Sequence, residues 1–206
     1  KLRSPDQQIT INVMVGKNVT WGVTKKNEVL INPSEINLKL KSGEILGHHA
    51  KVISAKVINH QQSIKSPFYK KQQVEDNYSQ LTLKLKDGYG LIFRAYNDGV
   101  AYRFFTERKD SLVIIAESAA FNLPEDLKAF VPYVLSSKAD PYEHSYENKY
   151  NYIPISSMAR DSLAFLPMLL SYNNGVKVVI TEADVEDYPG LYLKNEGINL
   201  ISDFSG

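Results

Sequence analysis

Apolar residues that recur at every second position constrain this chain more than any other feature. Ile9, Ile11, Val13 and Val15 alternate with mostly polar neighbours, as do Val19, Trp21 and Val23, then Ile36, Leu38 and Leu40, then Leu81, Leu83 and Leu85. Successive side chains of a strand point to opposite faces, so a period of two marks a half-buried β-strand and not a helical stripe. More continuously apolar runs at 112–115, 130–135 and 176–180 add strand-forming Val, Ile, Phe and Tyr. Turn signals separate the runs: Asp87-Gly88, Asn97-Asp98-Gly99, Asn173-Asn174-Gly175 and Asn195-Glu196-Gly197 each set a residue tolerant of positive φ before a glycine. The clearest is Asn97-Asp98-Gly99, which predicts a hairpin joining 91–96 to 100–104. No window of a dozen residues carries a clean helical stripe; the nearest is 140–152, where Tyr142, Tyr146 and Tyr150 stand four apart. Many short strands with frequent turns predict an all-β sandwich, in a single domain over residues 1–206.

Composition narrows the function classes. At 206 residues with 43% hydrophobic and 23% charged content, the chain can bury a core and is not a disordered segment. Its 24 basic and 23 acidic residues leave a formal charge of +1, and the densest basic runs, Lys25-Lys26 and Lys70-Lys71, are only pairs. Nucleic-acid binding needs a clustered basic face, so none is expected as a partner. The absence of Cys excludes disulfides, thiolate metal sites and a cysteine nucleophile. No apolar run approaches the ~20 residues of a membrane-spanning helix. The chain opens at Lys1 without an initiator Met or a signal pattern, and it closes on the strand-like apolar run 198–206. Both ends predict a piece of a longer chain.

Few residues carry chemistry. The acidic segment Glu182-Ala183-Asp184-Val185-Glu186-Asp187 follows the apolar run 176–180. If that strand continues, Glu182, Asp184 and Glu186 share a face, where they would repel unless solvated or bridged by a cation. Ca²⁺ is the natural partner of hard carboxylate oxygens but takes six to eight of them. The segment is thus either a solvated strand end or an incomplete calcium site. Asp140, Glu143 and His144, and the pair His48-His49, lack recognised metal spacing. No nucleophile elbow and no glycine-rich phosphate loop is present; Gly88 and Gly90 alone satisfy no fingerprint. Tyr142, Tyr146, Tyr150 and Tyr152 could instead form a flat aromatic platform for sugar rings, which would make the chain a free-standing carbohydrate-binding module. Anomer exchange on a sugar would need a paired acid and base, and none of the four histidines has an evident carboxylate partner in sequence.

Three segments together resemble a known family. These are Ser4-Pro5-Asp6, the run Phe93-Arg94-Ala95-Tyr96-Asn97-Asp98-Gly99-Val100-Ala101-Tyr102-Arg103-Phe104, and Thr181-Glu182-Ala183-Asp184 followed by Tyr188-Pro189-Gly190-Leu191-Tyr192-Leu193. In this order, over nearly the whole chain, they resemble the N-terminal domain of glycoside hydrolase family 97, the bacterial α-glucosidases and α-galactosidases of polysaccharide-utilisation systems. The resemblance implies a β-super-sandwich similar to galactose mutarotase, packed on a C-terminal catalytic (β/α)8 barrel of the same chain. It implies exo-acting hydrolysis of α-linked glucose or galactose oligosaccharides, a calcium cofactor in the active site, and a periplasmic location. The barrel carries the catalytic carboxylates, so no catalytic residue is expected here, and the motif match makes Glu182 the one metal ligand that this domain supplies. Two flanking carboxyl groups about 5–9.5 Å apart are what glycoside hydrolysis requires, and no pair here matches a family catalytic motif. The parent is expected to be the enzyme and this piece alone inactive. An exposed apolar patch is expected where the barrel docks.

Overall fold

Strands form where the alternation puts them. The computed structural model describes residues 1–68, 70–134, 141–142, 147–186 and 188–203. In chain order the strands are β1 (Leu2–Arg3), β2 (Ile9–Val15), β3 (Val19–Lys25), β4 (Glu28–Leu40), β5 (Ile45–Leu46), β6 (Val52–Lys65), β7 (Gln73–Leu85), β8 (Tyr89–Tyr96), β9 (Val100–Thr106), β10 (Ile114–Ala119), β11 (Lys128–Val131), β12 (Asn151–Pro154), β13 (Met168–Ser171), β14 (Lys177–Ile180), β15 (Tyr192–Glu196) and β16 (Asn199–Asp203). A single 3₁₀ turn at Ile155–Ser157 is the one helical element among the described residues. The chain divides into two compact units, 1–33 with 46–112 and 34–45 with 113–206.

The first unit is a two-sheet sandwich. One sheet has the order β1-β2-β3-β4, and the other is the antiparallel meander β6-β7-β8-β9. Their facing sides are the alternating residues read from sequence: Ile9, Ile11, Val19, Trp21 and Val23 from one sheet, and Leu81, Leu83, Leu85, Leu91 and Phe93 from the other, are all buried. Burying each such side chain is worth about 1.5–3 kcal/mol, which is why the period-two pattern fixes the register. Trp21 packs against Tyr102 with ring centroids 5.3 Å apart. The predicted hairpin is present: β8 pairs with β9, and Tyr96 N–H donates to the Gly99 carbonyl at 2.8 Å. Asp87 and Gly88 both take positive φ in the β7–β8 turn. β6 breaks the pattern, being exposed along almost its whole length on both faces.

Two of the family-like segments meet in this unit. The hydroxyl of Ser4, fully buried, donates to Asp6 Oδ1 at 2.6 Å and accepts Ile9 N–H at 3.0 Å. Asp6 Oδ1 also accepts Gln8 N–H, and Asp6 N–H donates to Asn97 Oδ1 at 3.0 Å. The Ser4-Pro5-Asp6 turn is therefore a knot tied to the tip of the Asn97-Asp98-Gly99 hairpin. Its role is architectural. The Ser4 hydroxyl, followed by the Gln8 amide, holds the Asp6 carboxyl below the usual carboxylate range.

In the second unit the C-terminal part of β4 pairs with β10, Glu117 lying opposite Leu38. A second sheet runs β12-β11-β13-β14, and β15 and β16 form a hairpin closed at Gly197. Ala129, Val131, Met168, Leu170 and Ile180 fill one face of the four-stranded sheet. On its other face Tyr152, Phe130, Leu169 and Val179 form a row across all four strands by direct cross-strand pairing. Three of them stay substantially exposed: Tyr152 at 48%, Phe130 at 37% and Val179 at 54%.

Candidate functional site

The acidic segment does not continue as a strand. β14 ends at Ile180, and Asp184 takes a left-handed φ of 63°, which breaks strict alternation; the shared face expected of Glu182, Asp184 and Glu186 is not formed. Asp184 and Glu186 are exposed, whereas Glu182 is half-buried. Its Oε1 accepts the backbone N–H of Leu191 at 2.8 Å, so the Glu182 side chain closes the neck of the loop just before β15 begins. Among the described residues nothing else bonds its carboxylate. Burial pushes the Glu182 carboxyl above its ordinary value, against the lowering effect of the Leu191 amide.

A second carboxylate, which the sequence does not announce, reaches the same loop. Glu117 on β10 accepts the Tyr188 hydroxyl at Oε2, 2.9 Å away. Burial raises the Glu117 carboxyl, the Tyr188 hydrogen bond lowers it, and the charge of Glu182 raises it further. Tyr188 is itself raised, by burial first and then by the two carboxylates. The charge of one half-buried carboxylate, Glu182, thus bears on a second, Glu117. The backbone of Glu117 is fixed: the Ser202 hydroxyl on β16 donates to the Glu117 carbonyl and accepts Ala119 N–H, both at 2.8 Å. In sequence Glu117 sits just past an apolar run, and its partner Tyr188 lies 71 residues away. No local spacing could have joined them.

The donor set suits a hard cation only in part. Glu182 offers oxygen, the ligand atom calcium prefers, but no group of three His, Cys, Asp or Glu among the described residues could hold a metal. These residues fit one ligand of a larger site, not a complete site.

Other candidates are dispersed. Asp140, Glu143, His144 and Tyr146 lie outside the described residues. His48 forms an isolated bridge with Asn18, and His49 N–H donates to the Lys17 carbonyl. His60 does have a carboxylate, Asp76 at 3.4 Å across the β6–β7 ladder, and its ring stacks on Tyr78. Arg94 is occupied too, donating from Nε to Gln80 at 2.9 Å and lying 4.2 Å over the Tyr78 ring. The tyrosines do not share one platform. Tyr142 packs edge-on against Tyr192 beside Leu163 and Phe165 and donates to Asp203 at 2.7 Å, whereas Tyr152 is exposed beside Phe130.

Among the described residues of this all-β chain, one acidic loop is thus tied to a sheet through Tyr188 and closed at its neck by Glu182. The chain belongs to the glycoside hydrolase family 97 N-terminal domains: residues 2–204 match the family described as Glycosyl-hydrolase 97 N-terminal. It is 37% identical over 206 residues to a retaining alpha-galactosidase of Bacteroides thetaiotaomicron, covering 98% of this chain and 31% of that protein. Its fold is similar to that of a glycoside hydrolase family 97 enzyme from Pseudoalteromonas sp. strain K8, solved in complex with acarbose, at TM-score 0.86 and 20% identity over 99% of this chain and 31% of that one. It is also similar to a beta-arabinopyranosidase, at TM-score 0.85 and 21% identity over 100% of this chain and 35% of that one. The all-β fold expected from the sequence is the fold of these N-terminal domains. The chain spans about a third of the length of the relatives it matches.

Proposed function

We propose that this domain serves an exo-acting, calcium-dependent family 97 glycosidase that cleaves α-linked galactose or glucose, and that Glu182 is its one ligand to the active-site calcium. The observation that carries this reading is the carboxylate at the loop neck. Glu182 is held by Leu191 N–H through one oxygen, its other oxygen takes no bond among the described residues, and its charge bears on a second carboxylate, Glu117. The similarity to a retaining alpha-galactosidase favours galactosides over glucosides. When bound, calcium supplies a positive charge that polarises and orients a sugar oxygen. This chain's part is to present a preformed oxygen ligand; the carboxyl pair that acts on the glycosidic bond belongs, on this reading, to a catalytic barrel later in the chain. A periplasmic location belongs to the same reading.

Packing on the barrel is also part of the proposal. The exposed row Tyr152–Phe130–Leu169–Val179 supports it, because a sheet face of this kind is ordinarily covered, and about two thirds of the relative's length lies outside this domain.

The test uses the whole protein. It is expected to hydrolyse an aryl α-galactoside in a manner abolished by a chelator and restored by calcium. Glu182→Ala is expected to demand far more calcium for the same turnover. Chelator-insensitive activity, or an unchanged calcium requirement in Glu182→Ala, would overturn the reading.

A further inference from the structure

We propose that Glu117 is a positioning residue for Glu182: it acts through Tyr188 to hold the acidic loop in place and does not itself touch calcium. The proposal rests on the reading of Glu182 as a calcium ligand. The side-chain ties of the loop between β14 and β15 include the Glu182–Leu191 bond at its neck and the Tyr188–Glu117 bond to β10. Its middle is exposed at Ala183, Asp184, Val185 and Glu186, and Asp184 has left-handed backbone. The neck tie uses the ligand's own carboxylate, so it cannot be the only restraint on a group that must also face an ion. The second tie is independent of the ligand and is mounted on a rigid base. β10 is paired along β4, and Ser202 clamps the backbone of Glu117 and Ala119 from β16. Tyr188 thus transfers the rigidity of the sheet to the loop. The Glu117 oxygen facing the loop is already taken by the phenol hydrogen, which suits a group that orients and not one that ligates.

Outer residues that orient metal ligands typically contribute about 10–100-fold in affinity. In the calcium-stripped whole protein, titrated with calcium chloride by calorimetry, Tyr188→Phe and Glu117→Ala are expected to weaken binding by about that factor. Glu117→Gln, whose amide oxygen can still accept the phenol hydrogen, is expected to stay within about threefold of wild type, since the bond that holds Tyr188 is kept although the charge is lost. In kinetics on an aryl α-galactoside the half-saturating calcium concentration should rise in Tyr188→Phe, and added calcium should make up the lost turnover. Melting of each variant without calcium separates loss of the fold from loss of the tether.

Unchanged calcium affinity in Tyr188→Phe, with Glu182→Gln still impaired, overturns the positioning role and leaves the Glu182 reading standing. Glu117→Gln as weak as Glu117→Ala also overturns it, because charge at the ion would then be what matters. Wild-type calcium affinity in Glu182→Gln removes the ligand reading, and the proposal with it.

Discussion

Gly90 is the position where the fold leaves least room for a side chain. It lies in β8 between Lys84 of β7 and Phe105 of β9. A Cβ built there would stand 2.5 Å from Phe105 Cζ and 2.6 Å from Cε1, and closer still to the carbonyl oxygen of Leu83. Carbon atoms pack at about 3.5–4.0 Å, so the ring would have to move by about 1 Å. Phe105 can turn aside, being only half-buried, but the Leu83 carbonyl belongs to the ladder between two central strands. Gly90→Ala should therefore fall in the upper part of the overpacking range, about 2–3 kcal/mol. For a chain of this size each kcal/mol lowers the melting temperature by about 2–4 °C, so a drop of about 4–12 °C is expected. Gly99→Ala is the control: a Cβ there meets nothing within 4 Å and the backbone is not left-handed, so its effect should stay within about 0.5 kcal/mol. Circular dichroism melts of the 206-residue chain and the two variants measure both. If Gly90→Ala melts within a degree of wild type, the strands are not packed as described and the register of β7, β8 and β9 is wrong.

Ser4→Ala should cost about 1–3 kcal/mol, because it strands the buried Ile9 amide; a denaturant midpoint equal to wild type would dissolve the knot. Glu117 and Glu182 have folded pKa values raised above an ordinary 4.5, so the folded state binds protons more tightly than the unfolded chain. Without calcium, their contribution to stability falls as pH rises from 4.5 through the raised values, and a Glu117→Gln/Glu182→Gln chain should lose that slope in melts taken across the window. Asp6 is opposite in sign: its contribution is present above its ordinary 3.8 and is lost as pH falls through its lower folded value. An Asp6→Asn chain that keeps the full acid-side loss of stability would contradict this. Val179→Lys should change the stability of the 206-residue chain by less than about 0.5 kcal/mol, since the side chain is exposed. In the whole protein it should lower the melting temperature if the apolar row is covered; equal melting would show that the row is not covered.

Local chemistry was legible and long-range chemistry was not. Ile9–Ile11, Val19–Trp21–Val23 and Leu81–Leu83–Leu85 declare their buried face because strand pleating converts position into side. Asn97-Asp98-Gly99 declares its turn for an equally local reason. Continuous apolarity proved a poorer guide: in the run 112–115, Val113 and Ile115 remain exposed, and the strand starts only at Ile114. β6 was missed because Lys, His, Gln and Asn occur among its residues on both faces, which erases the period-two signal in a strand that is exposed on both sides. The division into two units was equally invisible, since 34–45 joins 113–206 through pairings that no short window contains. The same applies to the site. Glu182 is singled out by a motif, while Glu117 and Tyr188 are brought together by register and loop closure alone.

On the proposed reading of Glu182 as a calcium ligand, the neck bond explains how a separate domain could supply it. A carboxylate on a free loop would have to be ordered by the ion, and ordering one residue's backbone costs about 1–2 kcal/mol. Here folding has already borne that cost: Leu191 N–H fixes Glu182 at one oxygen, Pro189-Gly190 leads directly into β15, and Tyr188 ties the far side of the loop to β10. The neighbouring charges work in the other direction: burial first and the charge of Glu182 after it raise the Glu117 carboxyl, a repulsion that a divalent cation at the loop would relieve. On that reading, a ligand preordered by its fold, next to a carboxylate that its charge opposes, would gain on both counts when calcium binds. Removing the neighbour's charge while keeping its hydrogen bond, as Glu117→Gln does, therefore separates the two effects. The order contributed by the tether remains and only the repulsion is lost, which is why that variant and Tyr188→Phe should part company.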